Sequence, residues 1–324
     1  MEVLSSGALN LVQDLGRTGL LSQGISGAGA MDRPALTMGN LLVGNPEDAA
    51  GIEISIFPFR VRFRQVTTFA CTGAVGPVTL DDRAIPPWWT LTAQPGQTLV
   101  VAPPTHGARA YLSVRGGIDT PVVLNSRSTD IKAGFGGLEG RGLKRGDLLP
   151  VGAADDQPAL QTGIGVVPAA LTDYVRELER GEVAVRVLPG AEYLRYTEAA
   201  RDAFTHTPFA ITPDANRMGY RLSGATLALA APLELLSHGI VPGTIQVPPA
   251  GQPIIQLADA NTCGGYPKIA NVIGADLWRV AQAPIGTRLR FSLVSPQQAA
   301  EALQAQAYEL NRIRGNLAHL RARG

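Results

Sequence analysis

The chain has 324 residues, about twice a typical domain length of roughly 150, so two domains or one large β architecture are the sizes to consider. Apolar residues make up 45% of it and charged residues 17%, a balance that supports a large core and excludes intrinsic disorder. Twenty-eight basic residues against 27 acidic ones leave a net charge of +1, which provides no field to steer the protein toward nucleic acid or an anionic membrane.

The N-terminus lacks a basic leader followed by an apolar run, and no stretch of about 18 apolar residues occurs, so the expectation is a soluble, cytoplasmic protein. Two cysteines, Cys71 and Cys263, form no disulfide framework, in keeping with a reducing compartment. The first helix signal is Asp32, a cap for the apolar positions Leu36, Met38, Leu41 and Leu42, with Gly44 as the stop and Pro46 beyond. Alternation of apolar and polar residues then predicts strands at Phe59 to Arg64, Thr98 to Val101 and Ala110 to Arg115. A small, polar linker follows at Gly152 to Pro158, and Ala169 to Arg180 has helix-forming composition ending at Gly181. Strand patterns return at Val183 to Leu188, Ile254 to Leu257 and Thr287 to Phe291.

The clearest helix closes the chain. Ser295-Pro296-Gln297-Gln298 is a capping box with proline at the first helical position, and Leu303, Leu310, Ile313, Leu317 and Leu320 mark an apolar stripe expected to cover a surface. Arg312, Arg314, Arg321 and Arg323 suit the negative pole of its dipole. The expected organisation is a mainly β chain: a β-rich domain over 1–152, a second over 182–294 and a C-terminal helix over 295–324.

No G-x-x-x-x-G-K-[ST] loop is present, and no G-x-G-x-x-G joins a strand to a helix, which argues against an independent ATPase or dehydrogenase. The glycine-rich run Gly134 to Gly140 sits among strands, so it reads first as a loop serving the fold. His106, His206, His238 and His319 are far apart and form no paired metal-ligand motif, and no G-x-S-x-G elbow occurs. What remains is a set of polar, glycine-rich clusters: Gln13 to Arg17, Ser126 to Thr129, Asn216 to Arg221 and Asp259 to Lys268. Such residues also serve turns, because they tolerate positive φ or hydrogen-bond locally, so each cluster has a structural reading beside the functional one.

Those clusters carry a resemblance. Val12 to Arg17, Ser26 to Asp32, Leu41 to Asn45, Ala108 to Tyr111 with Arg115 to Ile118, Ser126 to Thr129 with Ala133 to Gly137, Asn216 to Leu222, Ile245 to Pro248, and Gly264 to Pro267 follow one another in a single order. In this the chain resembles the biotin-dependent carboxyltransferase-like family, which includes allophanate hydrolase subunit 2 and KipA-type proteins, the C-type subunit of 5-oxoprolinase and part of urea carboxylase. The resemblance implies two β-barrel-like domains, the C-terminal one cyclophilin-like. It also implies work beside a KipI-like partner, and a lactam-hydrolase subunit would complete the complex. No lysine flanked by methionines, the mark of a biotin acceptor, is present, since the methionines are Met1, Met31, Met38 and Met218.

The leading reading on that basis is a subunit of an ATP-dependent 5-oxoprolinase-type hydrolase, with ATP handled jointly with the partner. The alternatives are carboxyl transfer from carboxybiotin to a urea-like amide, or a non-catalytic regulator that binds a KipI-like kinase inhibitor. The residues expected to act catalytically are Arg217, Asp259 and Lys268; those expected to bind substrate are Gln13, Asp14, Arg127, Ser128, Asn216, Gln246, Thr262, Gly264, Gly265 and Tyr266. No metal site is expected. Arg217 and Lys268 are expected to share a pocket with Asp259 and Tyr266, and Arg217→Ala to cost activity with little effect on folding. The chain departs from the family pattern at Asn125, where glycine is usual, at Ala260-Asn261, where Arg-Gln is usual, and at Cys263, where threonine is usual.

Overall fold

The computed structural model describes residues 1–154 and 163–322. The linker read at Gly152 to Pro158 therefore lies outside the described residues from Asp155 onward, as does Arg323. Two compact units emerge: residues 1–17, 28–169 and 308–324 form one, and residues 18–27 and 170–307 the other.

Among its described residues the first unit holds ten strands: β1 (Glu2–Ser5), β2 (Leu11–Gln13), β3 (Gly51–Ile54), β4 (Phe59–Arg62), β5 (Thr67–Val75), β6 (Val78–Leu80), β7 (Arg83–Ile85), β8 (Trp89–Ala93), β9 (Thr98–Val101) and β10 (His106–Val114). They make two five-stranded sheets, ordered β1-β4-β9-β6-β7 and β2-β3-β10-β5-β8. The period-2 pattern of Phe59-Arg60-Val61-Arg62 explains the first: Phe59 and Val61 are buried and the arginines face water. Phe59, Val61, Leu99 and Val101 from one sheet join Ile52, Ile54, Phe69 and Leu112 from the other in a shared apolar core.

Helix α1 (Arg33–Val43) packs on the second sheet. Asp32 caps it by accepting from the Ala35 N–H at 2.9 Å, and Gly44 ends it at φ 82°, the left-handed conformation that glycine adopts without strain. Within the helix, a Cβ at Gly39 would lie 2.7 Å from Ser113 Oγ, so a side chain there would push the helix off β10. Thr72 Oγ reaches the Ala35 carbonyl at 2.7 Å and fixes the helix over β5.

In the second unit come α2 (Ala169–Glu179, its first residue counted with the first unit), β11 (Glu182–Pro189), α3 (Glu198–His206), β12 (Phe209–Ile211), β13 (Gly219–Ser223), β14 (His238–Gly239), β15 (Thr244–Gln246), β16 (Ile254–Gln256), β17 (Cys263–Gly264), β18 (Lys268–Val272), α4 (Leu277–Gln282) and β19 (Arg288–Leu293). Seven strands close a barrel in the order β11-β18-β15-β16-β13-β12-β19, where the resemblance implied a cyclophilin-like domain. Val183, Val185 and Val187 alternate into its core, and Phe204 of α3 stacks on Phe291 of β19 with ring centroids 4.8 Å apart. β14 and β17 pair separately as a two-residue ribbon.

Helix α5 (Pro296–Arg321) opens with the expected capping box: Gln298 N–H donates to Ser295 Oγ at 3.2 Å, and Ser295 N–H to Gln298 Oε1 at 2.8 Å. The apolar stripe is covered less fully than its spacing promised. Ile313 and Leu317 are buried, whereas Leu303 and Leu320 remain 52% and 45% exposed. Arg321 donates to the Leu41 carbonyl at the end of α1, and Arg314 pairs with Glu47. Leu317→Ala should accordingly cost about 2–4 kcal/mol in denaturant unfolding, and Leu303→Ala less than about 1 kcal/mol; equal effects would contradict this docking.

Candidate functional site

The N-terminal polar clusters converge on one carboxylate. After β2 the chain turns at Gly16 (φ 84°), and Asp14 Oδ1 accepts from the Gly16 N–H at 2.7 Å. The same oxygen accepts from Ser126 Oγ at 2.7 Å and Ser128 Oγ at 2.5 Å, while Oδ2 accepts from the Arg127 N–H at 2.5 Å. Gln13 donates to the Thr129 carbonyl at 3.1 Å and accepts from the Gly29 N–H at 3.1 Å. Gln13, Asp14 and Ser128 are all buried, so the structure commits them to holding loop 126–129 against β2. Arg127 keeps its guanidinium at the surface, bonded to the Thr120 carbonyl and to Asp119 at 2.8 Å. Asn125, the departure from glycine, stands at φ 59°, a conformation that asparagine tolerates better than most residues, so the exchange preserves the turn.

In the second unit the expected residues divide into two groups. Asn216 Oδ1 accepts from the Met218 N–H at 2.8 Å, an exposed turn that presents Arg217 inward. Arg217 meets Asp259 in a two-point ion pair, Nε to Oδ2 at 2.8 Å and Nη2 to Oδ1 at 2.9 Å, and both are buried. The Asp259 N–H also donates to the Arg217 carbonyl at 3.0 Å, so the pair and the backbone together clamp the two loops. Arg217 and Asp259 thus face each other as a buried ion pair, whereas the motifs grouped both with Lys268.

Lys268 belongs to the other group, and a register slip puts it there. β15 and β18 pair with Ile245 opposite Ala270, but the register shifts before Gln246 pairs with Lys268, leaving Ile269 as an extra residue. Ile245 and Ala270 are fully buried with the barrel core, so Gln246 and Lys268 project together from the opposite, outer face. Lys268 Nζ donates to the Gly264 carbonyl at 2.8 Å and lies 3.3 Å from His238 Nδ1. No carboxylate among the described residues lies within ion-pair distance of it. Glu192 sits beside it and accepts from its backbone N–H at 2.8 Å. Burial lowers the pKa of Lys268, with the Glu192 charge opposing.

Gln246 Oε1 accepts from Gln256 Nε2 at 2.9 Å, while its own Nε2, fully buried, has no hydrogen-bond partner. A Cβ at Gly264 would stand 2.6 Å from that nitrogen, so a side chain there would displace the end of the Gln246 side chain. Around this centre the Thr262 carbonyl accepts from Ile240 N–H at 3.1 Å, Gly265 lies close to the Leu235 carbonyl, and Tyr266 is 48% exposed. His238, Gln256 and Glu192 were not anticipated. His238 stands alone in sequence, and only the pairing of His238 with Gly264 in the ribbon brings it to Lys268.

Residues 23–293 match the carboxyltransferase domain, subdomain A and B. The chain belongs to this family. It is 44% identical over 306 residues to the C-type subunit of 5-oxoprolinase from Escherichia coli (strain K12), covering 94% of this chain and 95% of that one. With the corresponding 5-oxoprolinase subunit from Haemophilus influenzae it shares 41% identity over 314 residues, 97% of each chain. Among solved structures, the Kluyveromyces lactis urea carboxylase superposes with a TM-score of 0.86 at 29% identity, over 96% of this chain and 29% of that larger one.

The two cations predict opposite behaviour on substitution. Arg217→Ala strands a buried carboxylate and should cost about 3–5 kcal/mol in unfolding experiments, which corrects the expectation that folding would be spared. Lys268→Met removes a buried ammonium that has no carboxylate partner and should leave stability unchanged or raised. A folded, fully stable Arg217→Ala protein would show that the pair is dispensable.

Proposed function

We propose that this chain is the C-type subunit of an ATP-dependent 5-oxoprolinase, acting on the lactam with a KipI-like partner and a lactam-hydrolase subunit. The observation that carries this reading is the identity of 44% and 41% to two proteins named as that subunit of 5-oxoprolinase, across nearly the full length of each. The chemistry asks for cationic and N–H donors. A lactam carbonyl is unreactive until its oxygen takes the γ-phosphoryl group of ATP: an O–P bond forms as ADP leaves, one water attacks the activated carbon so that the C–N bond opens to an acyl phosphate, and a second water hydrolyses that acyl phosphate and releases phosphate. Negative charge grows on oxygens throughout, and Lys268 with the buried amide of Gln246 supplies donors already fixed in place. Arg217 and Asp259 serve this site by holding loop 257–260, one turn upstream of the ribbon.

The likeness to urea carboxylase favours a second reading, carboxyl transfer to an amide. The donors at Lys268 and Gln246 fit a carboxylated cofactor as they fit a lactam, because both offer anionic or carbonyl oxygens.

Mixed with its partner subunits and ATP, the chain should support ADP and glutamate formation dependent on 5-oxoproline, and alone it should hydrolyse no ATP. Turnover that instead requires urea, bicarbonate and a biotin carrier would replace the first reading by the second. The pH profile carries a sign. Lys268 is the cation below its lowered folded pKa, so activity should fall as pH rises at values below the 10.5 of an ordinary lysine. Because the folded pKa lies below the unfolded one, the charged lysine weakens the fold near neutral pH, and that penalty fades as pH rises through the folded value.

A further inference from the structure

We propose that Lys268 and Gln246 form a subsite for the carboxylate of a small amide, and that the β14–β17 ribbon is the strap that occupies this subsite until the carboxylate displaces it. This rests on the amide-processing reading and names the part of the substrate that the outer barrel face grips.

Three observations carry the inference. First, Lys268 is 4% exposed, yet its ammonium donates to a neutral acceptor, the Gly264 carbonyl, with His238 Nδ1 3.3 Å away and itself 3.1 Å from the Leu236 carbonyl; Gly264 and His238 both lie in the ribbon. Second, Gln246, also 4% exposed, holds a buried N–H donor with no acceptor, directly beneath Gly264. A cation and an unpartnered amide N–H that converge on one glycine present donors to a group with two acceptor oxygens and a negative charge. A carboxylate has both; a neutral amide offers one oxygen and brings N–H groups that would face an ammonium. Third, the ribbon is short: His238 pairs with Gly264, Gly239 pairs with Cys263, and one further bond joins Ile240 N–H to the Thr262 carbonyl. When the Gly264 carbonyl yields its place, Lys268 exchanges a neutral acceptor for a charge-assisted one, and Gln246 gains the acceptor it lacks.

Cys263 gives the ribbon a built-in reporter, because it is exposed while Cys71 is buried with its thiol pushed up to about 12. The rate of Cys263 alkylation by iodoacetamide, read by intact mass, should change with saturating 5-oxoproline or N-acetylglycine, and not with neutral 2-pyrrolidone or urea. Titrations of the full chain, alone and with its partner subunits, should show both carboxylates binding at least tenfold more weakly to Lys268→Met and Gln246→Met, with thermal unfolding confirming that each variant folds. Equal binding of 2-pyrrolidone, unchanged affinity in folded Lys268→Met, or no carboxylate binding in either preparation would overturn the subsite. N-acetylglycine bound at this site without 5-oxoproline binding would keep the subsite and remove the 5-oxoprolinase reading. Turnover of 5-oxoproline with unaltered binding by Lys268→Met would do the reverse.

Discussion

One extra residue in β18 decides where a positive charge goes. Strand alternation carried back from Val272 and Ala270 would turn Lys268 into the barrel, among Val183, Val185 and Ile245. An ammonium there would have no acceptor, a penalty of several kcal/mol that a fold of ordinary stability does not tolerate. The slip at Ile269 reverses the alternation for the last residue and delivers Lys268 to the outer face beside Gln246. The arrangement around that face depends on this placement: the ribbon lies over it, Gly264 sits close above the Gln246 amide, and Glu192 accepts from the Lys268 backbone N–H.

The two glycine-rich regions look alike in composition and differ in how their polar groups are satisfied. Around Asp14, four donors converge on one carboxylate, and Gln13 spends its amide on two loops. Such a network fixes backbone and leaves little capacity for a ligand. Around Lys268 the balance is incomplete, since a buried amide N–H without a partner costs about 1–3 kcal/mol. Natural folds retain such a cost where function needs a donor held ready, and it is this contrast, not the sequence motifs, that separates the scaffold from the candidate site.

Local chemistry was readable in advance. The Ser295 capping box, the Asp32 cap and Gly44 stop, and the strand Thr98–Val101 all follow from short-range rules, and the structure realises them at the expected residues. Helices α3 and α4 were missed because they are short and owe their place to packing: α3 has nine residues and is held by Phe204 against Phe291, while α4 has six. The site was only partly legible. Sequence motifs named Arg217, Asp259, Lys268 and Gln246, but pairing them correctly required knowing that Arg217 closes on Asp259 and that a register slip brings Gln246 opposite Lys268. His238 carries no signal of its own, since its meeting with Lys268 is made by a ribbon two residues long.

The Arg217–Asp259 pair and Lys268 show why burial alone does not mark a catalytic cation. Both basic side chains are 4% exposed. The guanidinium is planar and fork-shaped, and Asp259 answers it at two points, so its charge is spent within the fold. The ammonium is a compact point charge that donates to the Gly264 carbonyl, with an imidazole beside it, and its field remains available to whatever anion can reach it. A buried charge without a counter-ion costs stability, and an anion bound beside it would offset that cost. The paired arginine needs no such ligand. The arginine is thus committed to the architecture of the loop, and the lysine is the cation that the proposed site can use, although the sequence presents both as cations beside glycines.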